Sequence, residues 1–265
     1  MSYYKRKYLP LLALLIPVIS LIIALIFVLH YHTEYQQAEE EYSDTTSAVD
    51  SVIEHNISLV SEKPVQDIAQ TTNNITEQLE QVDFYTLLQE NPDVIAWITI
   101  PVCGINYPVV QGSDNAYYLT HTVKKTTNSS GAIFIDYENN SDFSDLHTLI
   151  YGHNMKNNSM FGGLKKIRRD PTLINESPYV YIFTPDGRMR QYQIFAMRQV
   201  GSDSDAYRFF TGETYYKEYV DECIQNSVTG INRSDIMAGT PLITLSTCSG
   251  DDDRLLVHCV LKAIY

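Results

Sequence analysis

The stretch TLSTCSGDDDRLL, residues 244–256, sets a thiol and a guanidinium close together, Cys248 and Arg254 with only SGDDD between them. A thiol attacks a carbonyl as its thiolate, and at an unperturbed pKa of about 8.5 only a few per cent is ionised near neutrality. Such a nucleophile needs a neighbour to take or hold the proton and a donor for the oxyanion that develops. Arginine is always charged and carries several N–H donors, which suits the second task. Gly250 and the aspartates favour a turn, so strand, tight loop and strand form a hairpin that faces Arg254 across from Cys248. Two plainer readings stand beside this one: Cys248 as a small buried hydrophobe, and Arg254 as the salt-bridge partner of Asp251, Asp252 or Asp253.

Seven histidines could supply the base. His30 and His32 border an apolar run and His55 lies in an acidic stretch, so position argues against them. His121 and His147 flank loops, and His258 sits inside the last apolar strand. His153 differs, because it ends the apolar run LIYGH and feeds a loop of turn formers, where a scaffold presents reactive side chains.

The elements that must hold these residues are short. From Val94 onward, β-branched and aromatic runs alternate with Gly, Pro, Asn and Asp: residues 94–100, 105–110, 131–137, 147–153, 179–183, 190–197, 242–248 and 255–265. Eight short strands predict a mainly β domain, an antiparallel barrel or sandwich. Helical interruptions are expected at 160–169 and 213–227, and Asp83–Gln89 reads as a short helix stopped by Asn91-Pro92.

Ahead of this domain, Leu9–Leu29 is an uncharged run of 21 residues. At about 1.5 Å per helical residue it matches the ~30 Å apolar core of a bilayer. Lys5, Arg6 and Lys7 precede it and Glu34, Glu39, Glu40 and Glu41 follow, so the positive-inside bias keeps the N-terminus in the cytoplasm and the remainder outside. A cleaved signal peptide is the competing reading; the length of the run and the lack of a small-x-small site favour a retained anchor. The expected organisation is a cytoplasmic N-terminus (1–8), a single transmembrane anchor (9–29), an acidic spacer (30–80) and a catalytic domain (81–265).

The net charge of -13 is concentrated in the spacer, where residues 31–90 hold thirteen acidic side chains against Lys63 alone. No basic stripe points to nucleic acid as a partner. The four cysteines, Cys103, Cys223, Cys248 and Cys259, show no disulfide-like spacing, and the lack of a CxxC argues against a zinc site.

TLSTC at 244–248 matches the TLxTC signature of sortases. The stretches WITIPVCGINYPVVQGSDNAYYL (97–119), GAIFIDYENN (131–140) and TLIYGHNMKNNSMFGGLKK (148–166) repeat the class B pattern. On these residues the chain resembles a class B sortase, a bacterial cysteine transpeptidase, over about residues 90–265. The resemblance implies an eight-stranded sortase β-barrel, an extracytoplasmic location, and neither cofactor nor metal. It also implies Cys248 as nucleophile, His153 as general acid and base, and Arg254 as the essential arginine. Asn115, Leu119, Tyr151 and Ser246 match positions that line the substrate groove; their plainer roles are turn, core, barrel packing and strand polarity. The implied reaction cleaves an Asn-Pro-x-Thr type of C-terminal sorting motif in a surface protein and passes the acyl group to a peptidoglycan amine. A pilin lysine is the alternative acceptor, and a membrane-tethered β-barrel adhesin is the non-enzymatic alternative. The chain departs from many sortases in its short, acidic Cys-to-Arg connection, which could engage an amine or stand as a solvated turn.

Overall fold

The computed structural model describes residues 2–47, 49–61, 82–201, 204, 207, 213–229, 236–248 and 253–265, with the backbone alone at 2–14, 61, 213, 248 and 253. The chain divides into two units, Met1–Glu41 and Tyr42–Tyr265. Helix α1 (Ser2–Ser47) begins in the first of them. Its apolar side chains from Leu15 to Leu29 are exposed, and it is long and apolar enough to cross a membrane.

In the second unit, eight short runs rich in β-branched and aromatic residues pair edge to edge into a closed barrel, in the order β1-β2-β3-β4-β7-β8-β6-β5. The strands are β1 (Val94–Ile100), β2 (Ile105–Val110), β3 (Ile133–Ile135), β4 (His147–His153), β5 (Tyr179–Phe183), β6 (Met189–Gly201), β7 (Leu242–Cys248) and β8 (Asp253–Ile264). Closure leaves no strand edge unpaired, which suits short strands in a chain of this size. The barrel is not wholly antiparallel as the strand pattern suggests: β2–β3 and β4–β7 are parallel. Long connections, 111–132 and 154–241, make those two crossovers possible, since parallel neighbours need a dozen or more linking residues. Trp97, Ile98, Ile100, Phe134, Ile150 and Leu245 are among the buried side chains of the barrel.

Four helices among the described residues cover parts of it. Helix α3 (Phe84–Glu90) is capped by Asp83, whose carboxylate accepts the Thr86 N–H at 3.1 Å, and it ends at Asn91 ahead of Pro92. Helix α4 (Lys165–Arg169) continues a 3-10 turn at Phe161–Leu164, and α5 (Leu173–Glu176) follows. Helix α6 (Glu213–Gln225) lays Tyr216, Tyr219, Val220 and Cys223 on Phe195, Ala196, Leu242 and Val260, covering one end of the outer face of β7 and β8.

The stretch read as a spacer is helical through α2 (Asp50–Ser61), and its part from Tyr42 onward packs on the barrel; residues 62–81 lie outside the described set. Val49, Ile53 and Val60 are buried at helical spacing. Polar ties reinforce them. Asn106 accepts the Trp97 indole N–H at 2.6 Å and donates to Asp50 at 2.6 Å, and the Tyr42 hydroxyl donates to the Gly131 carbonyl at 2.7 Å.

Candidate active site

Strands β4 and β7 run parallel and in step, Tyr151 beside Ser246 and His153 beside Cys248, so both chains end together at one rim of the barrel. Strand β8 returns antiparallel with Ser246 opposite Leu256. Cys248 and Arg254 lie two residues beyond that pair on their strands, on the hairpin arms that the sequence reading expects to face each other.

At this rim a cavity of about 240 Å3 is lined by Asn115, Leu119, Phe134, Tyr151, Tyr207, Ser246 and Arg254. Asn115, Leu119, Tyr151 and Ser246, drawn from three separate segments, therefore meet in one place with Arg254. Residues 249–252 of the acidic turn lie outside the described set. Leu255 N–H donates to the Thr247 hydroxyl at 2.9 Å, which ties the two arms of the hairpin beside Arg254.

His153 is half-buried, and its Nε2 lies 2.7 Å from the Leu119 carbonyl oxygen. A carbonyl can only accept, so Nε2 carries the proton and Nδ1 is the basic nitrogen of the neutral ring. Glycines make room for this arrangement. Gly131 has φ 57, and a β-carbon there would fall 2.8 Å from the Leu119 oxygen and 3.1 Å from His153 Cδ2. A β-carbon on Gly152, between Tyr151 and His153, would collide with Ile133 and with the Phe161 ring at 2.8 Å. The YGH order thus turns Gly152 toward the packed interior and its two neighbours toward the rim.

The cavity wall is aromatic and hydrogen-bonded. Tyr151 stacks on Tyr207 with centroids 6.3 Å apart and leans on Phe134 at 5.2 Å, while the Tyr207 and Ser246 hydroxyls are 3.0 Å apart. Tyr151 O–H and Asn115 Nδ2 both donate to Asp136, at 2.8 and 2.9 Å.

The other thiols are poor nucleophiles. Burial pushes Cys103 up to about 12 against a small pull from Lys166, and Cys223 up to about 11 against the pull of Arg198. Burial, with Cys103 nearby, holds Cys259 well above the ordinary thiol range. The other histidines are placed as structure or surface. His147 and His258 are buried under α6, and His121 stacks on Tyr117 at 4.0 Å.

Sequence reasoning overlooked Phe134, Asp136 and Tyr207. The first two sit in GAIFIDYENN, where a lone acid inside an apolar run is a signal, since an unpaired buried carboxylate is costly. Tyr207 lies in the β6–α6 connection, where no periodicity marks it.

A model of the sortase domain matches residues 98–262. The curated sortase B of Listeria monocytogenes is 31% identical over 203 residues, covering 75% of this chain and 80% of its own length. The crystal structure of Clostridium perfringens sortase B superposes with a TM-score of 0.62 at 30% identity, over 68% of this chain and all of that one (100%). A Streptococcus pyogenes class B sortase involved in pilus biogenesis gives a TM-score of 0.62 at 31% identity, over 68% of this chain and 98% of its own. With a closed eight-stranded barrel and TLSTC at its rim, the chain belongs to the sortase family and to its class B, the cysteine transpeptidases of the cell wall.

Proposed function

We propose that the chain cleaves an Asn-Pro-x-Thr type of sorting motif and transfers the new acyl end to a peptidoglycan amine, with Cys248, His153 and Arg254 as its reacting groups. The observation that carries this reading is the in-step pairing of His153 with Cys248 beside the cavity that Arg254 enters. The raised pKa values of the three other thiols support it further.

In the proposed reaction the Cys248 thiolate adds to the threonine carbonyl, and Arg254 stabilises the oxyanion. The C–N bond breaks as protonated His153 gives its proton to the leaving amine, leaving a thioacyl enzyme. An incoming amine then attacks, His153 takes its proton, the C–S bond breaks, and the thiolate is restored. Asn115, Leu119, Tyr151 and Ser246 hold the peptide. Helix α1 anchors the enzyme by its apolar run with Lys5, Arg6 and Lys7 on the cytoplasmic side, and the barrel faces the cell wall.

The relative from S. pyogenes favours a second acceptor, a pilin lysine, and the acidic SGDDD turn offers charge that would attract it. The test is cleavage of quenched Asn-Pro-x-Thr and Leu-Pro-x-Thr peptides by the full chain in detergent, with a stem-peptide amine or a pilin lysine peptide as acceptor. Faster turnover of the first peptide, and none with Cys248→Ala, is expected. Equal cleavage by wild type and Cys248→Ala would remove the nucleophile, and faster transfer to the lysine peptide would replace the peptidoglycan amine as acceptor.

A further inference from the structure

Asn115 and Tyr151 reach the cavity from different segments, yet both donate to one atom, Oδ2 of Asp136, at 2.9 and 2.8 Å. Asp136 is 5% exposed, and its other oxygen accepts the Glu138 N–H at 3.0 Å. We infer that Asp136 is the positioning residue of the peptide groove, a buried carboxylate that fixes the Asn115 amide and the Tyr151 phenol against each other. This deepens, and rests on, the reading of that cavity as the site of the sorting peptide.

The chemistry leaves little freedom. A carboxylate only accepts, so Asn115 must turn its NH2 toward Asp136 and its Oδ1 toward the Tyr137 N–H, which it accepts at 3.1 Å. A flipped amide would set an oxygen against the carboxylate and an NH2 against an N–H. Tyr151 spends its single proton on Asp136, so toward any other partner it acts as an acceptor. Asn115 keeps a second N–H to donate. A donor and an acceptor held by one carboxylate match the C=O and N–H of a peptide amide, and hydrogen bonds to a charged acceptor hold orientation better than neutral ones.

The backbone around Asp136 is secured separately. Gln111 Nε2 donates to the carbonyls of Asp136, at 3.1 Å, and Asn139, at 2.7 Å, while Asp136 N–H donates to the Leu149 carbonyl at 3.0 Å. Asn139 also donates to Asp145 at 2.8 Å and to the His147 carbonyl at 2.9 Å. Asp136→Asn therefore alters the carboxylate without cutting these ties.

The experiment measures KM and kcat of the full chain with the Asn-Pro-x-Thr peptide, together with exchange of the Asn115 side-chain amide protons followed by NMR. D136N is expected to raise KM about tenfold with kcat within about threefold, and to speed amide exchange. Tyr151→Phe added to D136N is expected to cost less than Tyr151→Phe alone, because the tie between the two residues is already lost. An unchanged KM, a loss confined to melting temperature, or full additivity of the two substitutions overturns the proposal. If D136N does not fold, Tyr151→Phe alone is expected to raise KM several-fold at constant kcat, and no rise overturns it. A wild-type chain that cleaves no sorting peptide sinks the proposed function instead, while the amide exchange still judges the positioning role.

Discussion

The outer face of β4, β7 and β8 carries two sets of similar residues, one roofed by α6 and one open at the rim. In the roofed half, His147, Thr244 and His258 are 2%, 0% and 1% exposed. His147 Nε2 lies 2.7 Å from the Thr244 hydroxyl, which lies 2.9 Å from His258 Nδ1, and the Tyr219 hydroxyl from α6 sits 3.2 Å from both Thr244 and His258. Along the same strands in the open half come Tyr151, His153, Ser246 and Arg254. Hydroxyls, histidines and a tyrosine recur in both halves. Cover separates them: the roofed groups hydrogen-bond one another and leave the buried His258 Nε2 without a partner among the described residues, while the open ones border a cavity that a substrate could enter.

Exchanging the two kinds of histidine tests this division most severely. His153→Ala is expected to lower kcat by about 100-fold to 10,000-fold, the usual reach of a general acid and base, with little change in melting temperature. His258→Phe is expected to do the reverse, removing about 1–3 kcal/mol of stability by leaving buried hydroxyls without a partner while kcat per folded molecule holds. Peptide-cleavage kinetics paired with thermal melts read both effects. A His258→Phe enzyme that folds well and is inactive would make the roofed network part of the chemistry.

The roofed half should also set how the fold responds to acid. Burial foremost, then His147 and Arg198, push the His258 pKa well below the ordinary histidine value. The unfolded chain takes up a proton near pH 6.5 while the folded chain does not. Below that pH the unfolded state binds more protons, so stability falls as pH drops below about 6.5. Phe195 and Tyr219 also face the His258 ring and bring no countercharge. Melting temperatures between pH 7 and pH 5 should decline in wild type and decline less in His258→Phe. Parallel declines would assign the acid response to other groups.

Much of this division was legible in the sequence, and the reasons are local. The eight strands follow apolar, β-branched and aromatic runs, and β1, β2, β4, β5 and β7 begin and end where the runs do, because Pro101, Gly104 and other turn formers punctuate them. The rim was legible through TLSTC and LIYGH, which end their strands on Cys248 and His153. The parallel pairing of β4 with β7 was not, since pairing between segments far apart leaves no short-range pattern. Asp136 and Tyr207 stayed hidden for the same reason, as their partners are remote in sequence. The acidic stretch from Tyr42 misled most: many charges read as solvated spacer, yet Val49, Ile53 and Val60 share a buried face, and polar anchors such as Asp50 find partners that composition cannot reveal.

The smallest expected effect concerns how the packed segment from Tyr42 bears on the open half. The Tyr42 hydroxyl donates to the Gly131 carbonyl at 2.7 Å and accepts the Val123 N–H at 3.3 Å, and its ring meets Tyr107 edge-on at 5.3 Å. Gly131 is the residue whose missing β-carbon lets Leu119 and His153 approach, so this tie supports the rim from behind. Tyr42→Phe keeps the ring and leaves a buried carbonyl and a buried N–H without that partner, a cost of about 1–2 kcal/mol. For a unit of this size that is a fall of roughly 2–6 °C in melting temperature. Because the Leu119 carbonyl orients His153 directly, kcat should change by no more than about twofold. Differential scanning calorimetry and peptide kinetics on the full chain check the two numbers together. A tenfold loss of kcat would show that the rim depends on packing behind it as much as the roofed half depends on α6, and cover alone would then no longer distinguish the two.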